Sequence, residues 1–497
     1  MIVSTKEGRR AVPAAALAVM FVLAVSPLEA QDVATERAAA GRAAAAQDAA
    51  AGDPVEALER QVEALRAEIE ALRRELRAAR EEPAPGAPAT EDAGDAAEDE
   101  EADALAELER KIEVLAAEVE RLRIGAAPPG APAVAEAGEG EVPRAFGLAP
   151  AASKVYRAER GLSIGGYGEM LYERKDGDRN DRLDFLRAIV YFGYKFDDRF
   201  VFNSEIEVEH ADEAFLEFAY LDWLYRPELN LRGGLVLLPM GLVNEIHEPT
   251  TFFGARRPDV EQAILPTTWR ENGFGAFGEV GPFSYRTYVV NGLNGAAFTS
   301  GGLRGGRQKG SQTLADDLAW VGRVDWDAVP GLLVGGSAYV GDSGQDLPAP
   351  GGGRIDAGTT IVEGHAEWRW RGLRLRGLVA RAELDDVARL NATLGLTGAQ
   401  SVGEELRGHY VEAGYDLFSG RGGRASLTPY VRREEVDTQA EVPRGFSADP
   451  ANDRESLTLG LAFQPIDPIV LKVDYQDYDN GAGTGVDQLN VALGYIF

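Results

Sequence analysis

From Gly161 to Phe497 the chain repeats one pattern, runs of about ten residues in which apolar and polar side chains alternate. In the last run Leu489, Val491, Leu493, Tyr495 and Phe497 share one face, and Gln488, Asn490, Ala492 and Gly494 occupy the other. Strands of a soluble sandwich alternate too, but typically over ~5–6 residues, whereas a tilted strand needs ~9–11 to cross a bilayer. Beyond the first 25 residues no apolar run approaches the ~20 residues of a transmembrane helix. Any membrane-spanning part must therefore consist of strands, closed on themselves so that no backbone edge meets lipid.

Sixteen such runs are expected: 162–172, 182–195, 199–209, 214–225, 229–238, 273–279, 283–292, 315–327, 331–341, 358–370, 373–384, 405–418, 424–434, 454–464, 468–478 and 486–497. Short turns such as Asp197–Asp198, Gly281–Pro282 and Arg371–Gly372 alternate with mostly longer loops. This is the layout of an all-β transmembrane barrel of sixteen antiparallel strands in a bacterial outer membrane. An even count puts both barrel ends on the short-turn, periplasmic side. Aromatics near strand ends (Tyr191, Phe192, Tyr194, Trp223, Tyr225, Trp368, Trp370) fit an interfacial girdle, although strand propensity alone also enriches them.

The first 160 residues differ. Residues 1–30 have the basic, apolar and small-residue parts of a signal peptide, with a retained anchor as the alternative. After an Ala-rich lead at 31–54, apolar residues three and four apart form seams at 55–80 and 104–124. LERQVEALRAEIEALR and LERKIEVLAAEVERLR repeat fifty residues apart. Both read as α-helical coiled coil, with solvated single helices as the alternative. Each is followed by a Pro/Ala-rich stretch read as a disordered linker, acidic at 81–103 and glycine-rich at 125–160. If the barrel occupies 161–497, these segments are periplasmic and offer a contact to cell wall or a periplasmic partner. A second reading makes the whole chain an envelope tether, the barrel its anchor and the coils its reach.

Composition removes several chemistries. With no cysteine, a disulfide framework, a thiolate metal site, a cysteine nucleophile and a lipoprotein anchor are excluded. A net charge of −30 argues against nucleic acid. The four histidines are not spaced as HExxH and no GxSxG elbow occurs. No enzyme, cofactor or metal is expected on this reading, and Asp176–Asp181 lacks the turn glycine of a calcium loop.

If the apolar faces meet lipid, the bore is lined by Arg187, Arg232, Arg286, Arg323, Arg374, Arg376, Glu205 and Glu207, together with Glu209, Glu363, Glu367, Arg369, Glu412, Lys472 and Asp474. In 214–225 the parity is ambiguous, because Glu217 and Asp222 fall on opposite faces; a strand end, a neighbouring subunit or a bulge would account for it. The 34 residues Pro239–Asn272 are too long for an ordinary connection and too apolar for a solvated one. They are expected to fold into the bore and narrow it. Glu245, His247, Glu248, Arg256, Arg257 and Arg270 are the constriction candidates, with Phe252, Phe253 and Trp269 as anchors. The three arginines either attract anions or pair with the wall and hold the loop against it.

The stretch LEFAYLDWLYRPELNLRGGLVLLPMGLVNEIHEPTTFFGARRPDVEQAILPTTWRENGFGAFG, with the aromatic terminal strand, resembles the phosphate-selective porin O and P family over roughly 161–497. The resemblance implies an outer-membrane channel in lipid, commonly a homotrimer, whose third extracellular loop folds inward. It also implies passive diffusion of small hydrophilic solutes, anions among them, along a basic path. This sequence departs from that pattern: residues 161–497 carry 32 Lys/Arg against 50 Asp/Glu, and both signs face inward. Some family members with a preceding coiled coil pass small organic acids instead, so organic anions stand beside phosphate as expected solutes.

Overall fold

The computed structural model describes residues 145–177 and 180–497. The signal peptide, the lead, both coiled-coil seams and the linker between them lie outside these residues.

Sixteen antiparallel strands close into one barrel, each paired with its sequence neighbours and the first with the last. They are β1 (Gly161–Lys175), β2 (Arg182–Lys195), β3 (Phe200–Glu209), β4 (Glu213–Arg226), β5 (Leu229–Leu237), β6 (Arg270–Val280), β7 (Phe283–Asn291), β8 (Leu318–Val329), β9 (Leu332–Gly341), β10 (Thr359–Trp370), β11 (Leu373–Leu384), β12 (Glu405–Tyr415), β13 (Ser426–Glu441), β14 (Asp453–Ile466), β15 (Ile469–Asn480) and β16 (Gln488–Ile496). Closure comes from Tyr167 opposite Ile496 and Lys175 opposite Gln488. A helical turn, α1 (Lys154–Arg157), precedes β1; α2 (Val260–Ala263) lies in the β5–β6 connection and α3 (Val387–Leu394) in the β11–β12 connection.

The alternation produces a barrel that is apolar outside and charged inside. Val379 and Val411 are each 60% exposed, whereas inward-facing Arg376 and Glu412 on the same two strands are 5% and 2% exposed. Neighbouring strands set opposite charges side by side: Glu367 faces Arg376, Arg376 faces Glu412, and Glu412 faces Arg432. Trp223, Tyr225, Trp368 and Trp370 point outward near strand ends, with the last two stacked at 6.1 Å. Tyr191 does not belong with them. It points inward, between Tyr167 and Phe218.

Three expectations need correction. β6 begins at Arg270, because Arg270, Glu271 and Asn272 continue the ladder opposite Leu237, Val236 and Leu235; the loop therefore spans 238–269. The parity conflict in β4 is a bulge. Glu205 pairs with Phe218 and Ile206 with Leu216, so Glu217 is the extra residue and both it and Asp222 point inward. Finally, the described part of the 125–160 stretch is no solvated linker: Leu148, Ala149, Ala151, Ala152, Ser153 and Val155 are all buried. Small side chains suit a segment threaded along the inner wall. Gly193 of β2 makes room for it, since a Cβ there would lie 2.6 Å from Val155.

Candidate functional site

No residue of 238–269 is exposed. The loop leaves β5 at Leu237 and is closed at its neck by Asn244, whose amide donates to the carbonyls of Leu238 (2.7 Å) and Trp269 (2.9 Å) and whose oxygen accepts from the Trp269 N–H (2.7 Å). One side chain thus ties both ends of a long excursion. Beyond the neck, peptide groups that no sheet or helix satisfies are taken up by charged and polar wall residues. Arg323 of β8 donates to the Gly241 carbonyl. Arg374 and Arg376 of β11 donate to that of Thr251, each at 2.7 Å, and Lys472 of β15 donates to that of Gly254 at 2.9 Å. The carboxylates of Glu434 and Asp474 accept from the N–H groups of Val260 and Ala255, both at 2.7 Å. Glu261 of α2 accepts from the Val243 N–H and from the Tyr410 hydroxyl, both at 2.7 Å.

Aromatic contacts complete the seating. Phe253 stacks on Tyr430 at 5.5 Å, in space left by Gly414, and Trp269 lies against Tyr339 at 4.8 Å. The Lys472 ammonium sits 3.8 Å from the Phe252 ring centre.

Most constriction candidates face partners on the wall. Glu245 pairs with Arg286 at 3.2 Å, His247 lies between Glu205 and Glu217, Arg256 pairs with Glu173, and Arg270 is 3.4 Å from Glu217. Glu248 turns to the N-terminal segment instead and accepts from the N–H groups of Ala151 (2.8 Å) and Ala152 (3.1 Å). Arg257 differs, having a buried guanidinium nitrogen without a hydrogen-bond partner. On the walls Arg187 lies 3.5 Å from Glu169 and 3.8 Å from Glu207; Arg232 holds Asp222 through two bonds of 2.8 and 2.9 Å; Arg323 pairs with Asp325 at 2.8 Å.

The N-terminal segment is the second insertion. The Tyr156 hydroxyl donates to Asp222 (2.7 Å) and accepts from Arg232 (3.1 Å), and Asn203 donates to the Ala152 carbonyl at 2.9 Å. Between this segment, the loop and the wall from β6 to β11 a cavity of about 290 Å³ remains, lined among others by Phe146, Glu245, Arg286, Asp327 and Arg376. Glu279, Ser284 and Asp327 flank short turns, so the cavity lies toward the short-turn end.

Near the long-loop end a basic group assembles. Arg304, Arg307 and Lys309 come from the β7–β8 connection and Arg257 from the inserted loop. Burial, with Arg257 alongside, disfavours the charge on Arg304; burial, Arg304 and Arg270 do the same for Arg307; burial and the neighbouring arginines do so for Lys309. Arg304 also has a buried guanidinium nitrogen without a partner. Arg257 was expected at the constriction, and its three companions lie in a loop whose Gly-rich sequence, GGLRGGRQK, carries no periodic signal.

An "uncharacterized protein" of Aquifex aeolicus is 35% identical over 369 residues, which cover 71% of this chain and 83% of that protein. The chain belongs to that protein's family. No protein-family model matches the sequence. Among solved structures, OmpF of Salmonella typhi in complex with daunomycin aligns with 68% of this chain and 98% of its own, at a TM-score of 0.46 and 14% identity. The anion-selective porin from Comamonas acidovorans (68% and 100% covered, TM-score 0.43, 12% identity) and the outer-membrane channel DcaP of Acinetobacter baumannii (68% and 97%, TM-score 0.43, 13% identity) align similarly. These likenesses are distant, and the fold of this family member rests on its own strand ladder.

Proposed function

We propose that the protein is a passive diffusion channel of the outer membrane of a Gram-negative-type bacterium, carrying small hydrophilic solutes through a bore narrowed by the inserted loop and the N-terminal segment. The carrying observation is the inversion of polarity across the barrel wall. Arginine and glutamate line the inside while valine, leucine and tryptophan face out, a distribution that suits lipid around a hydrated interior. Arg257, Arg304, Arg307 and Lys309 favour entry of anions at the long-loop mouth, phosphate and small organic acids alike. Glu245, His247, Glu248, Arg256 and Arg270 shape the constriction chiefly by fixing the loop. The apolar exterior leaves room for association into a homotrimer in the membrane, with residues 31–143 reaching a periplasmic partner.

Conductance across a planar bilayer is the direct test. The purified full-length protein is expected to give discrete steps, small ones because two insertions share the bore. Absence of any channel activity from folded, heat-modifiable protein refutes the reading.

A further inference from the structure

The side of the inserted loop that meets β3 and β4 carries a group that the transport path leaves unexplained. The Nε2 atom of His247 lies 3.2 Å from Glu205 Oε1 and 3.0 Å from Glu217 Oε2, and the three donor atoms lie within 4.8 Å of one another. The ring's other nitrogen, Nδ1, is 2.8 Å from the Asn244 carbonyl. A carbonyl only accepts, so Nδ1 carries the proton of that bond, which fixes the ring and leaves Nε2 facing the two carboxylates. A metal-ligating histidine is held in this way by its outer partner.

Hydrogen bonding alone leaves the group incomplete. If Nε2 is also protonated, a single N–H serves two carboxylates, and oxygens remain without donors: Glu205 Oε2 and Glu207 Oε1 are buried and have no hydrogen-bond partner, in residues 0% and 1% exposed. On this wall four carboxylates, of Glu169, Glu205, Glu207 and Glu217, face two guanidinium groups, those of Arg187 and Arg270. Buried carboxylates in such excess call for a compensating cation. His365 shows the contrast. Its Nδ1 is 2.9 Å from Glu363, and its Nε2 is 2.8 Å from Asp325 and 2.9 Å from the Arg323 guanidinium, so each nitrogen faces one carboxylate and a fixed cation already stands beside the ring.

We propose that Glu205, Glu217 and His247 bind a divalent transition-metal cation that fastens the inserted loop to the β3–β4 wall. One imidazole nitrogen and two carboxylate oxygens are a donor set that zinc takes, with Glu207 or water completing four-coordination. A tetrahedral zinc site separates its donors by about 3.3 Å, given metal–ligand distances of ~2.0–2.2 Å. The observed 3.0 and 3.2 Å lie close to this, and the two carboxylate oxygens lie within 4.8 Å of each other. The three ligands come from β3, from the bulged position of β4 and from the loop, so the cation joins three elements and is enclosed once they meet.

Because the site is enclosed, the test loads it during folding. Full-length protein is refolded into detergent with chelator, with excess Zn²⁺ or with excess Co²⁺, then desalted. Retained metal and the visible cobalt spectrum are read beside heat-modifiability. Folded wild type is expected to retain one equivalent per chain, with a tetrahedral cobalt spectrum. Glu217→Gln and His247→Gln are expected to weaken binding by more than ~100-fold, beyond the loss of an outer-shell partner, whereas His365→Gln retains the equivalent. Folded wild type that retains no metal overturns the proposal, as does retention undiminished in the Glu217 and His247 variants. Should those variants not fold, the wild-type spectrum decides: cobalt absent, or present only as hexa-aquo-like octahedral ion, overturns it.

Discussion

Single side chains of the inserted loop differ sharply in what they hold. Asn244 satisfies two carbonyls and one N–H at the neck, all buried. Asn244→Ala strands the Trp269 N–H, while the carbonyls of Leu238 and Trp269 keep the backbone N–H groups of Met240 and Leu238, and a buried polar group left unpaired costs ~1–3 kcal/mol. A drop of several °C in the unfolding midpoint, with larger and noisier conductance steps, is the expected outcome; unchanged stability and conductance would show that the neck closes without it. Asp222 and Arg232 are the corresponding pair for the N-terminal segment, since both also bond Tyr156. Removing one charge of a buried pair typically costs ~3–5 kcal/mol because the other is left uncompensated. Asp222→Asn is therefore expected to destabilise the barrel far more than Tyr156→Phe, which denaturant titration of both variants measures. Arg256 and Arg257 are adjacent in sequence, yet Arg256 is paired with Glu173 while Arg257 keeps a nitrogen without a partner. That difference was not legible in the sequence, because Glu173 lies 83 residues away on a strand brought alongside only by barrel closure.

At the scale of elements, two insertions share the bore, and Glu248 joins them through its bonds to Ala151 and Ala152. Removing the loop's inner part, with a short glycine-serine bridge from Leu238 to Trp269, should raise single-channel conductance severalfold. Unpinning the N-terminal segment with Glu248→Ala and Tyr156→Phe together should give a smaller rise. If neither variant conducts more than wild type, the solute path does not run past these insertions. The strands were legible because each alternates across a wall with lipid-like and water-like sides, a contrast visible within ten residues. Element ends were less so. Arg270, Glu271 and Asn272 have little strand propensity and are extended only because β5 offers them partners. The bulge at Glu217 is defined by its register against β3, which no property of β4 alone reveals. The burial of 145–157 was hidden for another reason: alanine, proline and serine read as linker unless a glycine-lined wall stands ready to receive them. Inside the bore the loop's partners lie far along the chain, Glu434 at 174 residues from Val260 and Asp474 at 219 from Ala255. The inward direction of the loop was readable from its length and apolarity, but its seating was not.

For the whole molecule the proposed preference for anions at one mouth has to be reconciled with a net charge of −30. Lumen acids and bases are largely matched across neighbouring strands, as in the series Glu367, Arg376, Glu412 and Arg432, so their fields cancel over short distances. Arg257, Arg304, Arg307 and Lys309 are less evenly matched: Glu209, Glu217 and Glu271 are the acidic groups that act on them, and Arg307 donates to the carbonyls of Thr267 and Thr268. They disfavour one another's charge, and on the proposed reading an entering anion would relieve that repulsion. Such a field acts over about one Debye length, ~10 Å at 0.1 M salt and ~3 Å at 1 M. Preference for anions should therefore be clear in reversal potentials measured across a gradient near 0.1 M and should fade toward 1 M. Replacing Arg257, Arg304 and Arg307 by glutamine should abolish the low-salt preference, while Arg256→Gln, which loses a paired charge, should change it little. A preference that persists unaltered at 1 M would place selectivity inside the constriction, where charges are shielded from salt. A preference unaffected by the triple substitution would remove the mouth cluster from the path.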